Sequence, residues 1–194
     1  MSATTLQEAF SRFDAYNATD PNREEFKGKT YPKEVLYAER MTKKLNDYAP
    51  EVPEYMQLAV RCQHIGRWEI ARNSYPMDRP GYLMWRSQLK LHHTKIAEPI
   101  LKACGYNEET IDKVKFLLLK KQLHQNPDTQ LIEDVICLVF VEYYLDDFAK
   151  QHSKEKMVDI LRKTLKKISP RGIEEALKIN MTDQVKQLIL QAAS

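Results

Sequence analysis

Histidine side chains that can bind metals lie on helix faces that the apolar pattern of the sequence predicts to be buried. His92 and His93 follow Leu89 by three and four residues, so at least one of the two must point into the core. His64 shares its face of an earlier predicted helix with Val60. Imidazole binds transition metals and exchanges protons near neutral pH. On an apolar face, histidine is also common as a hydrogen-bonded core residue, and both interpretations stay open.

A carboxylate lies in the most apolar stretch of the chain. Asp134 shares a helix face with Leu138 and is therefore predicted to be buried. A buried unpaired carboxylate costs several kcal/mol, so Asp134 needs a cation, a metal or several hydrogen-bond donors as its partner. Together with His64, His92 and His93, it suggests a site for a divalent metal such as manganese, magnesium, zinc or iron.

Basic residues are concentrated in the segment that contains the histidines. Residues 61–95 hold seven arginines and lysines against two acidic residues, a net charge of +5, whereas the whole chain carries only +3. Guanidinium groups suit phosphate because they donate two parallel hydrogen bonds. A solvated basic face would show the same composition. The predicted phosphate-binding residues are Arg67, Arg72, Arg86, Lys90 and, at the start of a later helix, Arg171.

Two glutamates are candidates for a catalytic base. Glu69 lies inside the basic segment, and Glu133 directly precedes Asp134. Either could take a proton from water during hydrolysis of a phosphate ester, and their spacing does not distinguish them.

The elements that position these residues are predicted to be helices. The chain has only five glycines and no sustained alternation of apolar and polar residues. We expect an all-α fold of about eight helices in a single compact domain over residues 1–194. Residues 18–29 are expected to form a polar connection. The predicted helices cover about 4–17, a segment from Pro32, a segment from Pro53, 81–104, 108–121, 131–148, 154–168, a segment from Ser169 and Pro170, and a segment from Thr182.

Composition limits the class of protein. No stretch of 18 apolar residues occurs, and the polar beginning of the chain lacks the features of a signal peptide, so we expect a cytoplasmic protein without membrane contact. Cys62, Cys104 and Cys137 each lie in an apolar helical pattern without CxxC spacing. They are predicted to be buried thiols.

Two short strings resemble signatures of class I aminoacyl-tRNA synthetases. His64-Ile65-Gly66-Arg67 resembles the HIGH motif, and the residues 167–171 (KISPR) resemble the KMSKS loop. Those motifs act on a nucleotide-binding parallel sheet, and this sequence has no alternating strand and helix pattern. The strings therefore do not predict a synthetase.

Longer blocks resemble an uncharacterised domain-of-unknown-function family of bacteria and fungi, some of whose members carry a glutamyl-tRNA synthetase label. The resemblance extends over about residues 30–180 and includes the blocks LYAERM, RCQHIGRWEIAR, GYLMWRSQLKLHH, EDVICLVFVEYYLDDF and LRKTLKKISPRG. The resemblance to this family does not predict an activity.

The order of helices and polar residues also resembles, more distantly, the HD superfamily of metal-dependent phosphohydrolases. The resemblance implies that residues 61–67 take the place of the helix with the histidine-aspartate pair. It also implies that His92 and His93 correspond to a histidine pair seen in some members and that Asp134 is the last metal ligand. The chain departs from the pattern because Ile65 stands where the aspartate belongs, and Tyr37 or Glu39 where the first histidine belongs. A reduced ligand set weakens metal binding.

From these features we expect a divergent HD-like protein with its core at about residues 30–150 and further helices at 151–194. Its expected function is metal-dependent hydrolysis of a nucleotide or another phosphate ester. The alternative is a non-catalytic protein that binds RNA or phosphate through residues 61–95 and the basic residues 162–171.

Overall fold

A computed structural model describes residues 4–193 of the chain. The all-α prediction is confirmed, with ten α-helices over the described range where about eight were expected. The elements in chain order are α1 (Thr5–Asn17), β1 (Arg23–Phe26), β2 (Lys29–Pro32), α2 (Lys33–Tyr48), α3 (Glu54–Arg61), two short 3-10 helices (Arg67–Glu69 and Arg72–Ser74), α4 (Arg79–Ala103), α5 (Glu108–Leu118), α6 (Pro127–Tyr143), α7 (Leu145–Lys150), α8 (Lys154–Leu165), α9 (Pro170–Lys178) and α10 (Asp183–Ala193).

A small antiparallel hairpin replaces part of the expected polar connection. Strands β1 and β2 pair from Arg23 opposite Pro32 to Phe26 opposite Lys29. Between them, Lys27 and Gly28 have φ angles of 51° and 74°, the pattern of a two-residue hairpin turn with both central residues left-handed. Strands of four residues are too short to show a clear alternating pattern, so the sequence did not predict this hairpin within the polar connection.

Contacts group the chain into two compact units, Met1–Lys121 and Gln122–Ser194. In the first unit, the short helix α3 is the most enclosed element: Leu58, Ala59 and Val60 have no exposed surface. It packs against α1, α2 and α5, and α4 packs against α1 and α5. The first unit is therefore a helical bundle built around α3.

Helix α3 ends at Arg61, whereas the apolar pattern predicts an end in the region of Gly66 to Glu69. His64 lies in the turns that follow Arg61, so its predicted place on the helix was wrong. At the end of these turns Gly66 has φ +67°, and an added Cβ would come within 2.3 Å of Cδ1 of Ile96. Only glycine fits this position without strain.

The second unit contains α6 to α10 around its own apolar core. Leu145, Met157 and Val185 are among the buried residues of this core. Helix α10 packs against α8, and α6 packs against α9. The single helix predicted over residues 131–148 is divided at Tyr144, whose φ and ψ of −129° and −22° leave the helical region between α6 and α7.

No helix over residues 4–193 is both long and apolar enough to cross a membrane. All three cysteines are free thiols; Cys62 and Cys137 are buried as predicted, whereas Cys104, at the end of α4, is partly exposed.

Candidate functional site

The turn after α3 holds His64 against α2. Its Nδ1 lies 3.5 Å from Oε2 of the buried Glu34. Tyr37 follows Glu34 by three residues and so lies on the same face of α2. Its ring stacks on the imidazole at a centroid distance of 4.1 Å and an angle of 10°. Glu34 is not recognisable from the sequence, because nothing in the spacing along α2 marks it as buried beside a histidine.

Arg67 joins this contact from the first 3-10 helix. Its Nη1 lies 3.5 Å from Nε2 of His64, and its Nε lies 4.0 Å from Oε1 of Glu34. The guanidinium also lies 4.8 Å above the ring of Trp85, whose indole N–H donates to the carbonyl of Ile70. A carboxylate, an imidazole and an aromatic face therefore hold Arg67 in place.

His93 is the histidine of the adjacent pair that points inward. It is 2% exposed, and its Nδ1 lies 2.7 Å from the carbonyl oxygen of Ile65. Because a carbonyl only accepts, Nδ1 carries the proton and Nε2 keeps its lone pair. The ring centroid lies 5.9 Å from that of His64. We call Glu34, Tyr37, His64, Arg67 and His93 the histidine cluster.

His92 belongs to a separate polar contact on the other side of the pair. Its Nε2 lies 3.0 Å from Oε2 of Glu69, whose Oε1 accepts a hydrogen bond of 2.7 Å from the hydroxyl of Tyr16. Burial and then the hydrogen bond to Glu69 raise the pKa of Tyr16 to about 12. Glu69, a predicted catalytic base, thus links α1 to α4.

Burial governs protonation in the histidine cluster. It raises the pKa of Glu34 to about 7, although the charge of Arg67 opposes the shift. It lowers the pKa of His64 well below its usual value, with Arg67 as the next cause, and lowers that of His93 to about 3. At neutral pH both imidazoles are neutral and Glu34 is only about half ionised.

The site consequently carries more positive than negative charge. Burial and then the charge of Arg86 lower the pKa of Arg67, which places a second guanidinium within electrostatic reach of the first. Arg86 and Lys120 also disfavour the charged form of His64. Within residues 4–193, neither Arg86 nor Lys90 has a carboxylate partner. An anion would offset this charge.

Arg72 has a role in shaping the adjacent loop. It donates hydrogen bonds to the carbonyls of Tyr75 and Asp78 at 3.1 and 3.2 Å, and its guanidinium lies 5.9 Å from the ring of Tyr82. Arg171, the remaining predicted phosphate-binding residue, is exposed in the first turn of α9, in the second unit.

Asp134 lies in the second unit, where hydrogen-bond donors occupy both of its carboxyl oxygens. Its Oδ1 accepts from the backbone N–H of Ser169 at 2.8 Å and from the side chain of Gln130 at 3.0 Å, and its Oδ2 accepts from the Ser169 hydroxyl. The sequence predicted that a buried Asp134 needs a cation, a metal or several hydrogen-bond donors. The structure provides several hydrogen-bond donors. Glu133, the other predicted base, is also buried on α6.

The described residues do not bring together a complete set of metal ligands. His64 and His93 each turn Nδ1 toward an oxygen, which is how metal-binding histidines are commonly oriented. Among the residues that the structure describes, however, no group of three or more histidine, cysteine, aspartate or glutamate side chains is arranged to hold a metal ion.

A family model described as a domain of unknown function (DUF4202) matches residues 7–189. The chain belongs to this family. The match confirms the resemblance to an uncharacterised family, and it covers nearly all of the chain. No curated protein and no solved structure matches this DUF4202 chain.

Proposed function

We propose that the first unit binds a phosphorylated small molecule or nucleotide at Arg67 and Arg86 and hydrolyses a phosphate ester there. The supporting observation is the unbalanced positive charge around Arg67. Among residues 4–193, the acidic group that Arg67 contacts is Glu34, a carboxyl that burial keeps about half protonated at neutral pH. Uncompensated charge in a partly buried site favours binding of an anion.

The geometry of α4 extends this anion site along one stripe. Lys90 follows Arg86 by four residues, and His93 follows Arg86 by seven, so all three lie on the same side of the helix. Guanidinium and ammonium groups bind phosphate oxygens with charge-assisted hydrogen bonds. A phosphate dianion supplies the two negative charges that this stripe lacks.

His64 is the residue best oriented for general-base catalysis. Glu34 faces its Nδ1, and Nε2 offers a lone pair on the side of Arg67. Burial and then nearby cations lower the pKa of His64, and a bound dianion would raise it again by offsetting those cations. In the proposed step a water oxygen attacks phosphorus, its proton passes to Nε2, and the ester oxygen leaves and takes a proton from solvent.

Metal assistance stays a prediction. The resemblance to HD phosphohydrolases supports metal assistance only through the similar order of helices and polar residues. The ligand set found within the described residues is incomplete. We therefore assign the steps above to side chains of the chain itself. Metal analysis of the purified protein, followed by assays with and without added manganese, tests the prediction directly.

Calorimetric titration tests the binding proposal. Inorganic phosphate and adenosine monophosphate should bind, adenosine should not, and p-nitrophenyl phosphate should be hydrolysed in a reaction that inorganic phosphate inhibits. Binding without turnover would support phosphate binding and refute the proposed hydrolysis. Failure of both anions to bind at low salt would refute the proposal.

The alternative of non-catalytic RNA binding rests on the basic residues 162–171 and the aromatic residues near the histidine cluster. Trp85 is 8% exposed and already packs under Arg67, so it offers little surface for a base. A gel shift whose affinity falls with salt would favour RNA over a small phosphate ester.

A further inference from the structure

An apolar groove lies in the second unit between α8, α9 and α10. Its volume is about 420 Å³, and its lining includes Leu165, Ile173, Leu177 and Leu190. Leu177 and Leu190 come from different helices and are 50% and 55% exposed. Large, exposed apolar side chains that line the same recess are unusual on a surface without a binding role.

Two cations border this groove. Arg162 lies in the last turn of α8, and Lys166 follows it by four residues, so both lie on the side of α8 that lines the recess. Neither has a carboxylate partner in the part of the chain that the structure describes. By contrast, Lys163, one residue after Arg162, pairs with Asp159 and does not line the groove.

We propose that this groove binds an acidic amphipathic helix of a partner protein. Apolar side chains at helical spacing would enter the recess between Leu177 and Leu190, and carboxylates beside them would meet Arg162 and Lys166. Complementary charge would fix the orientation of the helix and exclude basic helices. A concave recess receives a protruding element, whereas a flat lipid surface would not reach its floor. This proposal is independent of phosphate binding by the first unit.

Peptide selection tests the proposal on the full-length chain. A displayed library of helix-forming peptides is selected against the protein, and the enriched peptides are synthesised and titrated by fluorescence anisotropy. They should combine apolar residues three and four positions apart with neighbouring aspartate or glutamate. Enrichment of peptides without acidic residues would overturn the proposal.

Variants locate the binding surface. Leu190→Glu and the double change of Arg162→Glu with Lys166→Glu should each weaken binding of the enriched peptides by about tenfold or more. Leu83→Glu is the matched control for the leucine, because Leu83 is also 55% exposed but lies on α4 in the first unit. Lys156→Glu, exposed near the start of α8, controls for charge.

Three other ligands are tested with the same variants. Vesicles of phosphatidylcholine and phosphatidylserine, a single-stranded RNA and the protein itself, examined by sedimentation, should show no interaction that depends on Leu190 or on the pair Arg162 and Lys166. An interaction of any of these ligands that is lost in both groove variants but not in the controls would assign the groove to that ligand instead.

Discussion

Glu34 places its Oε2 3.5 Å from Nδ1 of His64, and both side chains are largely buried. Burial shifts the two pKa values in opposite directions, raising that of the carboxyl to about 7 and lowering that of the imidazole. Near pH 7 the pair therefore holds a neutral imidazole beside a carboxyl that is about half ionised. Binding of an anion next to Arg67 would change both pKa values, so this contact would report on occupation of the proposed site.

The stability of the protein should rise with pH in the acidic range because of His93. Its pKa is about 3 in the folded state and 6.5 as the ordinary value, so between these pH values the unfolded chain binds a proton that the folded chain does not. His93→Gln should flatten the slope by about 1.4 kcal/mol per pH unit. Denaturant titrations over this pH range measure the slope, and His124→Gln, at an exposed histidine, is the control.

Glu34 should have the opposite effect on the same curve. The pKa of Glu34 is about 7 in the folded state and 4.5 as the ordinary value. Between these pH values the folded chain binds a proton that the unfolded chain does not, so the stability that this proton contributes is lost as pH rises. Glu34→Gln should therefore make stability rise more steeply with pH than in the wild-type protein. An unchanged slope would show that Glu34 titrates normally.

Arg86 should contribute to anion binding without being required for folding. Removal of one charge-assisted hydrogen bond costs about 1.5–3 kcal/mol, so Arg86→Gln should weaken binding of inorganic phosphate by about tenfold to a hundredfold. Lys95→Gln is the control, because Lys95 is exposed on the same helix. Equal affinities of the two variants, measured by calorimetry, would contradict the assignment of Arg86 to the site.

Anion binding should be accompanied by proton uptake. Sulfate does not titrate near neutral pH, and its charge would raise the pKa values of His64 and Glu34, so protons should enter the protein on binding. Calorimetry in buffers of different ionisation enthalpy measures this number of protons. The number of protons taken up should fall in Glu34→Gln and in His64→Gln. If it is unchanged in both variants, groups other than Glu34 and His64 bind the protons.

Gly66 should tolerate substitution less well than another left-handed glycine. In Gly66→Ala the new Cβ would lie 2.3 Å from Cδ1 of Ile96, whereas Gly105, with φ +84°, has no atom within 4 Å of that position. Both variants should lose about 1–2 kcal/mol from the left-handed backbone, and Gly66→Ala should lose more through overpacking. Thermal unfolding of the two variants gives the difference, and equal losses would show that Ile96 moves aside freely.

The sequence determined the helical character of the chain and several helix boundaries. Asn107 and Ser169 begin α5 and α9 as predicted, because their side chains accept hydrogen bonds from the first turn of the helix that follows. Such contacts depend only on neighbours in the sequence. The apolar repeat also predicted that Asp134 and at least one of His92 and His93 are buried, and the structure buries Asp134 and His93.

The tertiary structure alone decided the partners of those buried groups. Nothing in the sequence near Glu34 indicates that it faces His64, and nothing near Asp134 indicates that Ser169 donates to it twice. Hydrogen bonds between residues far apart along the chain depend on how helices pack, whereas helix propensity and capping depend on local spacing. Burial follows from composition and period, but the identity of the neighbour that satisfies a buried charge follows only from the packed fold.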